Sequence, residues 1–175
     1  MEFAEKKIKV APMDMIAHIR KNHAMEHATI HLLTEALPNV SFAGYSFVRG
    51  YWILGKTDLQ NVQKAAEMAL ARLKNGEHKL AIHPNCGTNI AMIGLCTAAA
   101  AMLTAFDEDE DASPMSRFTA YTTAGMIGAL VGKPLGQKVQ KKITTDPDVK
   151  NLSIVSINCS SLRGTPVFFV QTSMN

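Results

Sequence analysis

The chain has 175 residues, of which 47% are hydrophobic and only 6% aromatic, and its net charge is +3. This length allows one domain, or one domain with an insertion, and a real core. The small net charge, without a basic stripe interleaved with aromatic residues, argues against a nucleic-acid partner. Cys86, Cys96 and Cys159 are odd in number and widely spaced, which predicts a reducing compartment rather than a disulfide framework. The N-terminal segment is charged and has no long apolar run, so we expect no secretory signal.

The first element is predicted to be a helix over residues 12–37, because apolar side chains recur at helical spacing and Pro38 follows them. Its predicted apolar face comprises Met15, Ile16, Ile19, Ile30, Leu33 and Leu37.

Residues 40–55 are rich in aromatic and β-branched side chains and contain three glycines, which predicts two strands joined by a tight turn. Thr57 or Asp58 is placed to cap a second helix that ends near Gly76. The segment "HKLAIH" (78–83) is predicted to be a short strand. The predicted inner face of the second helix comprises Leu59, Val62, Ala66, Ala69 and Leu73.

The middle of the chain is predicted to be a hydrophobic helical hairpin. Residues 88–106 carry no charge and are long enough to span a bilayer as a helix. Five acids follow at 107–111, and a second uncharged run covers 118–132. The "GALVG" sequence (128–132) is a small-xxx-small pattern, which predicts a second copy or a membrane-protein partner on this face.

The charges beside the hairpin predict its orientation. Arg117 is the basic residue between the two runs, whereas the flanks are rich in lysine. The asymmetry predicts a cell-membrane protein that contacts lipid through the hairpin, with both end segments in the cytoplasm. The alternative is a buried alanine-rich hairpin in a soluble cytoplasmic protein. The flanking lysines are Lys74, Lys79, Lys133, Lys138, Lys141 and Lys142.

The last part of the chain is predicted to return to the first. "PLGQKVQKKI" (134–143) is interpreted as a short amphipathic helix at the membrane surface, and two strands follow, joined near Arg163 and Gly164. The predicted fold is α+β: a small mixed sheet packed with two helices and interrupted by the hairpin. The predicted segments are 1–87 with the site motifs, 88–132 with the hairpin, and 133–175 with the remaining helix and strands.

Three histidines in "NHAMEHATIH" (22–31) suggest a metal site. His23, His27 and His31 are spaced by four residues and therefore lie on nearly one helix face. "HAMEH" also fits H-x-x-E-H, the inverted zinc-peptidase signature, in which two histidines bind zinc and the glutamate, here Glu26, is the general base. The alternative is a helix whose histidines are solvated on its polar face.

A second cluster, "HPNCGTN" (83–89), offers His83 and Cys86 between a predicted strand and a predicted helix. A thiolate at a helix N-terminus is stabilised by the helix dipole and by a metal. The alternative for Cys86 is a small buried thiol. His23, His27 and a residue of this cluster would make three ligands and leave one position open, as in catalytic zinc sites. Nitrogen and sulfur ligands favour Zn2+, with Fe2+ as a second candidate.

The two motifs together resemble those of an uncharacterised bacterial family of small membrane-associated proteins that carry E-H-A-T-I-H and H-P-x-C-G-T-N, and this resemblance extends over most of the chain. The motifs are also similar to those of a predicted metal-dependent membrane enzyme family with E-H-K-T-I and H-P-R-C-G-T. The resemblance implies a site and a membrane setting, and names no reaction. The functional residues that it implies are Glu26, His27, Thr29, His83, Cys86, Gly87 and Thr88.

Three functions are compatible with these patterns. The first is a membrane-anchored zinc-type hydrolase of amide or peptide bonds, with Glu26 as the catalytic base. The second is a non-catalytic metal-binding membrane subunit or assembly factor, with four ligands in a closed site. The third is an interaction module without a metal. The predicted ligands are His23, His27, His83 and Cys86, and the further candidates for ligation or support are His31, Thr29 and Thr88.

Overall fold

The computed structural model describes residues 12–106 and 112–174, with side chains described from residue 15 onward; the five acids at 107–111 lie outside these ranges. In chain order the helices and strands are α1 (Pro12–Ala36), β1 (Ala43–Phe47), β2 (Gly50–Leu54), α2 (Leu59–Lys74), α3 (Gly87–Phe106), α4 (Pro114–Val139), β3 (Leu152–Leu162) and β4 (Thr165–Met174). A 3-10 turn covers His78–Ala81, and a π turn covers Gln140–Thr144.

The described chain divides into two compact units. An α+β unit runs to Ala81 and resumes at Thr145, and a helical unit covers Ile82–Thr144. The α+β class is therefore confirmed. The sheet has the order β1-β2-β4-β3, and every pairing in it is antiparallel, so the expectation of a mixed sheet is wrong. Two hairpins supply the outer pairings, and β2 and β4 run in opposite directions where they meet, for example at Ile53 and Phe168.

The predicted turn at Arg163 and Gly164 is confirmed. Both residues have positive φ, 48° and 80°, as a two-residue hairpin turn requires to match the twist of its strands. Gly164 adopts this conformation without strain because it has no Cβ.

The core of the α+β unit lies between one face of the sheet and the two helices. Tyr51 and Ile53 of β2 and Phe168 and Val170 of β4 are fully buried, as period-two alternation requires. The C-terminal half of α1 and the inner face of α2 cover them. The buried helical side chains include Met25, Leu33, Val62, Ala66, Ala69 and Leu73.

The predicted apolar faces of the helices are only partly correct. In α1, Ile30 and Leu33 are buried, but the earlier positions Met15, Ile16 and Ile19 are exposed. Leu59, the first residue of α2, is also exposed. Apolar spacing identifies a helix face, but burial depends on what the fold places opposite that face.

The segment after α2 differs from its prediction. Asp58 caps α2 by accepting a hydrogen bond from the Asn61 backbone N–H at 2.8 Å, and Gly76 has φ +91° just beyond the helix end, so both predicted caps are confirmed. The predicted strand "HKLAIH" is wrong, because His78–Ala81 form a 3-10 turn. No strand of the described sheet pairs with this segment.

In the helical unit, α3 and α4 form an antiparallel hairpin, and the buried residues of α4 in this hairpin are glycines. A Cβ built on Gly128 would meet the Cys96 carbonyl oxygen at 2.4 Å, and one on Gly132 would meet the Ile93 Cα at 2.7 Å. The "GALVG" glycines therefore pack inside the hairpin, and the face predicted for a partner is occupied by α3. Small residues allow this close backbone approach.

The predicted separate helix at 134–143 is wrong. α4 continues through Pro134 to Val139, and the chain then forms the π turn. Proline inside a helix removes one hydrogen bond and strains the preceding turn. The glycines on either side, Gly132 and Gly136, both contact α3, and this packing outweighs the local preference for a break.

The outward surfaces of the hairpin are apolar. By length and composition, α3 is long and apolar enough to cross a membrane, and little of it is buried. Large exposed side chains on the two helices include Ile90, Leu95, Leu103, Phe106, Phe118, Met126 and Leu130.

Candidate metal site

The histidine pair lies on the buried part of α1. His23 and His27 are one turn apart, with ring centroids 4.3 Å from each other and ring planes tilted by 59°. His27 is buried and His23 is half-buried. Histidines on the polar face of a helix would instead be exposed to solvent. The pair therefore does not fit the alternative of solvated histidines on a polar face.

A backbone carbonyl fixes the orientation of His27. The Nδ1 atom lies 2.7 Å from the Ala81 carbonyl oxygen, which can only accept, so Nδ1 carries the proton and Nε2 keeps its lone pair. Ala81 ends the 3-10 turn, where carbonyls have no partner within the turn. Metal-binding histidines in proteins usually have this arrangement: one ring nitrogen donates a hydrogen bond to a carbonyl or carboxylate, and the other nitrogen binds the metal.

Cys86 follows Ala81 by five residues and directly precedes α3. Its backbone carbonyl accepts the first hydrogen bonds of that helix, from Asn89 and Ile90, so the predicted placement of the thiol at a helix N-terminus is confirmed. The ligand atoms of His23, His27 and Cys86 all lie within 4.8 Å of one another. This group can hold a metal ion.

Glu26 is buried beside His27 on α1, with 6% of its surface exposed. β1 leaves room for its side chain only because residue 44 is glycine. A Cβ at Gly44 would lie 2.5 Å from the Glu26 Oε1 atom and 2.6 Å from its Cγ. The fold thus encloses the carboxyl group of the residue that precedes His27 in the sequence.

A hydrogen-bonded chain from the sheet supports the same turn of α1. The Thr29 hydroxyl donates to the Met25 carbonyl at 2.7 Å, so it accepts from the Tyr51 hydroxyl at 2.9 Å. Burial raises the pKa of Tyr51 far above its ordinary value, although the hydrogen bond to Thr29 opposes this shift. Tyr51 therefore remains a neutral donor at any physiological pH.

The remaining predicted site residues lie outside the three-residue group. His83 is half-buried, and its Nδ1 accepts a hydrogen bond from the Asn85 backbone N–H at 3.3 Å. His31 is half-buried one turn beyond His27, and Thr88 is half-buried in the first turn of α3. Thr29 contacts Met25 and Tyr51 and so supports the helix.

Three residues that contribute to the site were not predicted from the sequence. The Ala81 carbonyl was assigned to a strand, in which it would have paired with a neighbour. Tyr51 and Gly44 were assigned to strands without any role at the site. The glycine within an otherwise regular strand was a usable signal, because such a residue often marks a close approach by another group.

The comparisons with known proteins agree with the expectation of an uncharacterised family. No solved structure matched the chain. An uncharacterised protein of the cyanobacterium Picosynechococcus sp. (strain ATCC 27264 / PCC 7002 / PR-6) is 32% identical over 163 residues, which cover 87% of this chain and 78% of that protein. The similarity to predicted metal-dependent membrane enzymes stays a prediction. The family described as a domain of unknown function (DUF6391) matches residues 18–157, a range that includes every residue of the site, and the chain belongs to this family.

Proposed function

We propose that the protein is a membrane-anchored metalloenzyme that hydrolyses an amide or peptide bond with a zinc-type centre. The observation that carries this proposal is the convergence of His23, His27 and Cys86 within 4.8 Å. The hydrogen bond from His27 Nδ1 to Ala81 supports it, because it directs Nε2 to act as a ligand.

The donor set favours particular metals. Two imidazole nitrogens and one thiolate match the ligands that zinc accepts, and Fe2+ is the second candidate. Cys86 at the start of α3 is suited to bind as the thiolate, since the helix dipole stabilises negative charge there.

His23, His27 and Cys86 would hold the ion with three protein ligands, the number found in catalytic zinc sites, where water takes the remaining position. When bound, the metal lowers the pKa of that water toward neutrality. Glu26 is the group that would accept the proton from the water and return it to the leaving amine. Its burial one residue before His27 in the H-x-x-E-H pattern supports this assignment.

Membrane anchoring rests on the helical unit. An α-helix of 20 residues, the length of α3, spans about 30 Å, the thickness of the hydrocarbon core. Its outward side chains are apolar and exposed, which suits a surface that contacts lipid through the hairpin. We place both end segments in the cytoplasm, from the lysines beside the hairpin.

Metal content is the first test. Full-length protein purified in detergent without chelators should contain one metal ion per chain, and His27→Ala and Cys86→Ser should lose it. The matched controls are His78→Ala, at an exposed histidine, and Cys159→Ser, at an exposed cysteine, which should keep the metal. Wild-type protein without stoichiometric metal would refute the proposal.

Turnover is the second test. Glu26→Gln should abolish cleavage of a fluorogenic peptide panel while the metal remains bound. Glu35→Gln, an exposed glutamate near the end of the same helix, is the control and should keep activity. Activity that survives in Glu26→Gln would exclude the assigned base.

A non-catalytic metal-binding subunit or assembly factor is the second candidate, and the burial of the site favours it. His27 and Cys86 are only 2% and 8% exposed, which leaves little surface for a substrate. A closed site needs a fourth protein ligand, and His83 is the residue that the sequence predicts for it. X-ray absorption that finds four protein ligands would favour this function, whereas a water-derived oxygen would favour the hydrolase.

A further inference from the structure

Two side-chain amides hold the turn that presents Cys86. Gln140, which is fully buried, accepts a hydrogen bond from the His83 backbone N–H at 2.7 Å and donates one to the His83 carbonyl at 3.1 Å. Asn89, also buried, donates to the carbonyls of His83 and Pro84 at 3.1 and 2.9 Å. All of these residues belong to the helical unit.

These contacts fix the turn from both sides. The Gln140 amide makes the two hydrogen bonds that a neighbouring peptide group would make in a sheet, and so it holds His83 as strand pairing would. The turn then closes through the bond from the Cys86 backbone N–H to the His83 carbonyl. Three donors thus converge on one carbonyl oxygen, three residues before the thiol.

We propose that Gln140 and Asn89 are positioning residues that hold the Cys86 thiol where it can bind the metal. The inference rests on the proposed function, because it concerns the same metal group. It goes further in making the metal affinity depend on the α3–α4 hairpin. Asn89 lies in the first turn of α3, and Gln140 follows the last residue of α4, so the turn is held only where both helix ends are correctly packed.

The packing of the hairpin acts directly on one of the two amides. A Cβ at Gly136 would lie 2.9 Å from both the Cα and the Oδ1 atoms of Asn89. A larger residue at 136 would therefore displace Asn89 and loosen the turn. Gly125 is the matched position, since its added Cβ would meet described atoms no closer than 3.4 Å.

The experiment measures Co2+ binding to the full chain in detergent, because a cobalt–thiolate bond gives a charge-transfer absorption band that reports sulfur ligation. Gln140→Ala and Asn89→Ala should weaken Co2+ binding by about 10- to 100-fold, the effect typical of residues that orient metal ligands, and should diminish the band. Gln137→Ala, at an exposed glutamine in the last turn of α4, should leave both unchanged.

Should Gln140→Ala fail to fold, Gln140→Glu keeps the shape and the acceptor but loses the donor to His83, and it should weaken binding in the same direction. Wild-type affinity and a full band in folded Gln140→Ala or Gln140→Glu would overturn the proposal. Likewise, Gly136→Ala should lower the affinity while Gly125→Ala should not.

A second readout is independent of any metal. In a Cys96→Ala, Cys159→Ser background Cys86 is the remaining cysteine, and its buried thiol should react slowly with iodoacetamide. Gln140→Ala should speed the reaction by about tenfold, as expected for the loss of one or two hydrogen bonds. An unchanged rate would overturn the positioning role. Wild-type protein without metal would instead refute the proposed function, and the alkylation rate would still decide the role of Gln140.

Discussion

The α+β unit and the helical hairpin bury residues of opposite size. In the α+β unit large side chains such as Tyr51 and Phe168 are fully buried between the sheet and the helices. In the hairpin the buried positions of α4 are glycines, among them Gly128 and Gly132, and large side chains such as Phe106 point outward and are exposed.

The difference is compatible with the membrane anchoring that we propose for the hairpin. In water, apolar side chains gain most by leaving the solvent, which favours a core of large residues. In lipid that driving force between helices disappears, and close van der Waals packing of backbones replaces it. One chain thus carries both kinds of packing.

The largest expected effect comes from a matched pair of phenylalanines. Phe168→Ala, in the core of the α+β unit, should lower its free energy of unfolding by about 3–5 kcal/mol. Phe118→Ala, on the exposed surface of α4, should change it by less than about 0.5 kcal/mol. Denaturant titration followed by the fluorescence of Trp52, the single tryptophan of the chain and a β2 residue, measures this unit. Equal losses of unfolding free energy in the two variants would contradict the difference in packing between the two units.

A pair of glycines tests the packing of the hairpin. Gly128→Ala should destabilise it by about 1–3 kcal/mol, because the new methyl group would overlap the α3 backbone at Cys96. Gly94→Ala is the control, since no described atom lies within 4 Å of its added Cβ, and it should be neutral or stabilising by up to about 1 kcal/mol. Thermal loss of helical circular dichroism in detergent measures both. A tolerated Gly128→Ala would mean that close backbone approach is not what joins these helices.

A smaller effect is expected from the Tyr51 hydroxyl. Tyr51→Phe removes one buried hydrogen bond and should cost about 0.5–1.5 kcal/mol. Because the pKa of Tyr51 is raised in the folded state, the unfolded chain loses this proton first as pH increases. Stability of the α+β unit should therefore fall above about pH 10, and this slope should shrink in Tyr51→Phe. Tyr45→Phe, at an exposed tyrosine of the same sheet, is the control and should keep the wild-type slope.

The smallest effect is expected at the exposed end of α2. The hydrogen bond from Arg72 lowers the pKa of the Glu77 carboxyl, and the two side chains approach to 2.6 Å. Their contribution is present above the unfolded pKa of Glu77 and is lost as pH falls through the lower folded value. Glu77→Gln should slightly reduce the dependence of the free energy of unfolding on pH in the acid range, measured by Trp52 fluorescence. A reduction as large as the Tyr51 effect would contradict the assignment of this pair to the surface.

Much of the fold could be predicted because local signals were strong. Helical spacing located α1, Asp58 and Gly76 marked the ends of α2, and Arg163–Gly164 marked a hairpin turn. Errors arose where local preference competed with packing. Pro134 predicted a break that glycine contacts on both sides prevented, and "HKLAIH", predicted to be a strand, forms a 3-10 turn over His78–Ala81.

The candidate site divides in the same way. Four-residue spacing on a helix determined that His23 and His27 share a face, since the geometry of a helix follows from the chain alone. The choice of Cys86 rather than His83 as the third member of the group, the carbonyl of Ala81 that directs His27, and the buried amide of Gln140 depend on contacts between residues far apart in sequence. Such contacts are decided by how complete elements pack, so only the tertiary structure could supply them.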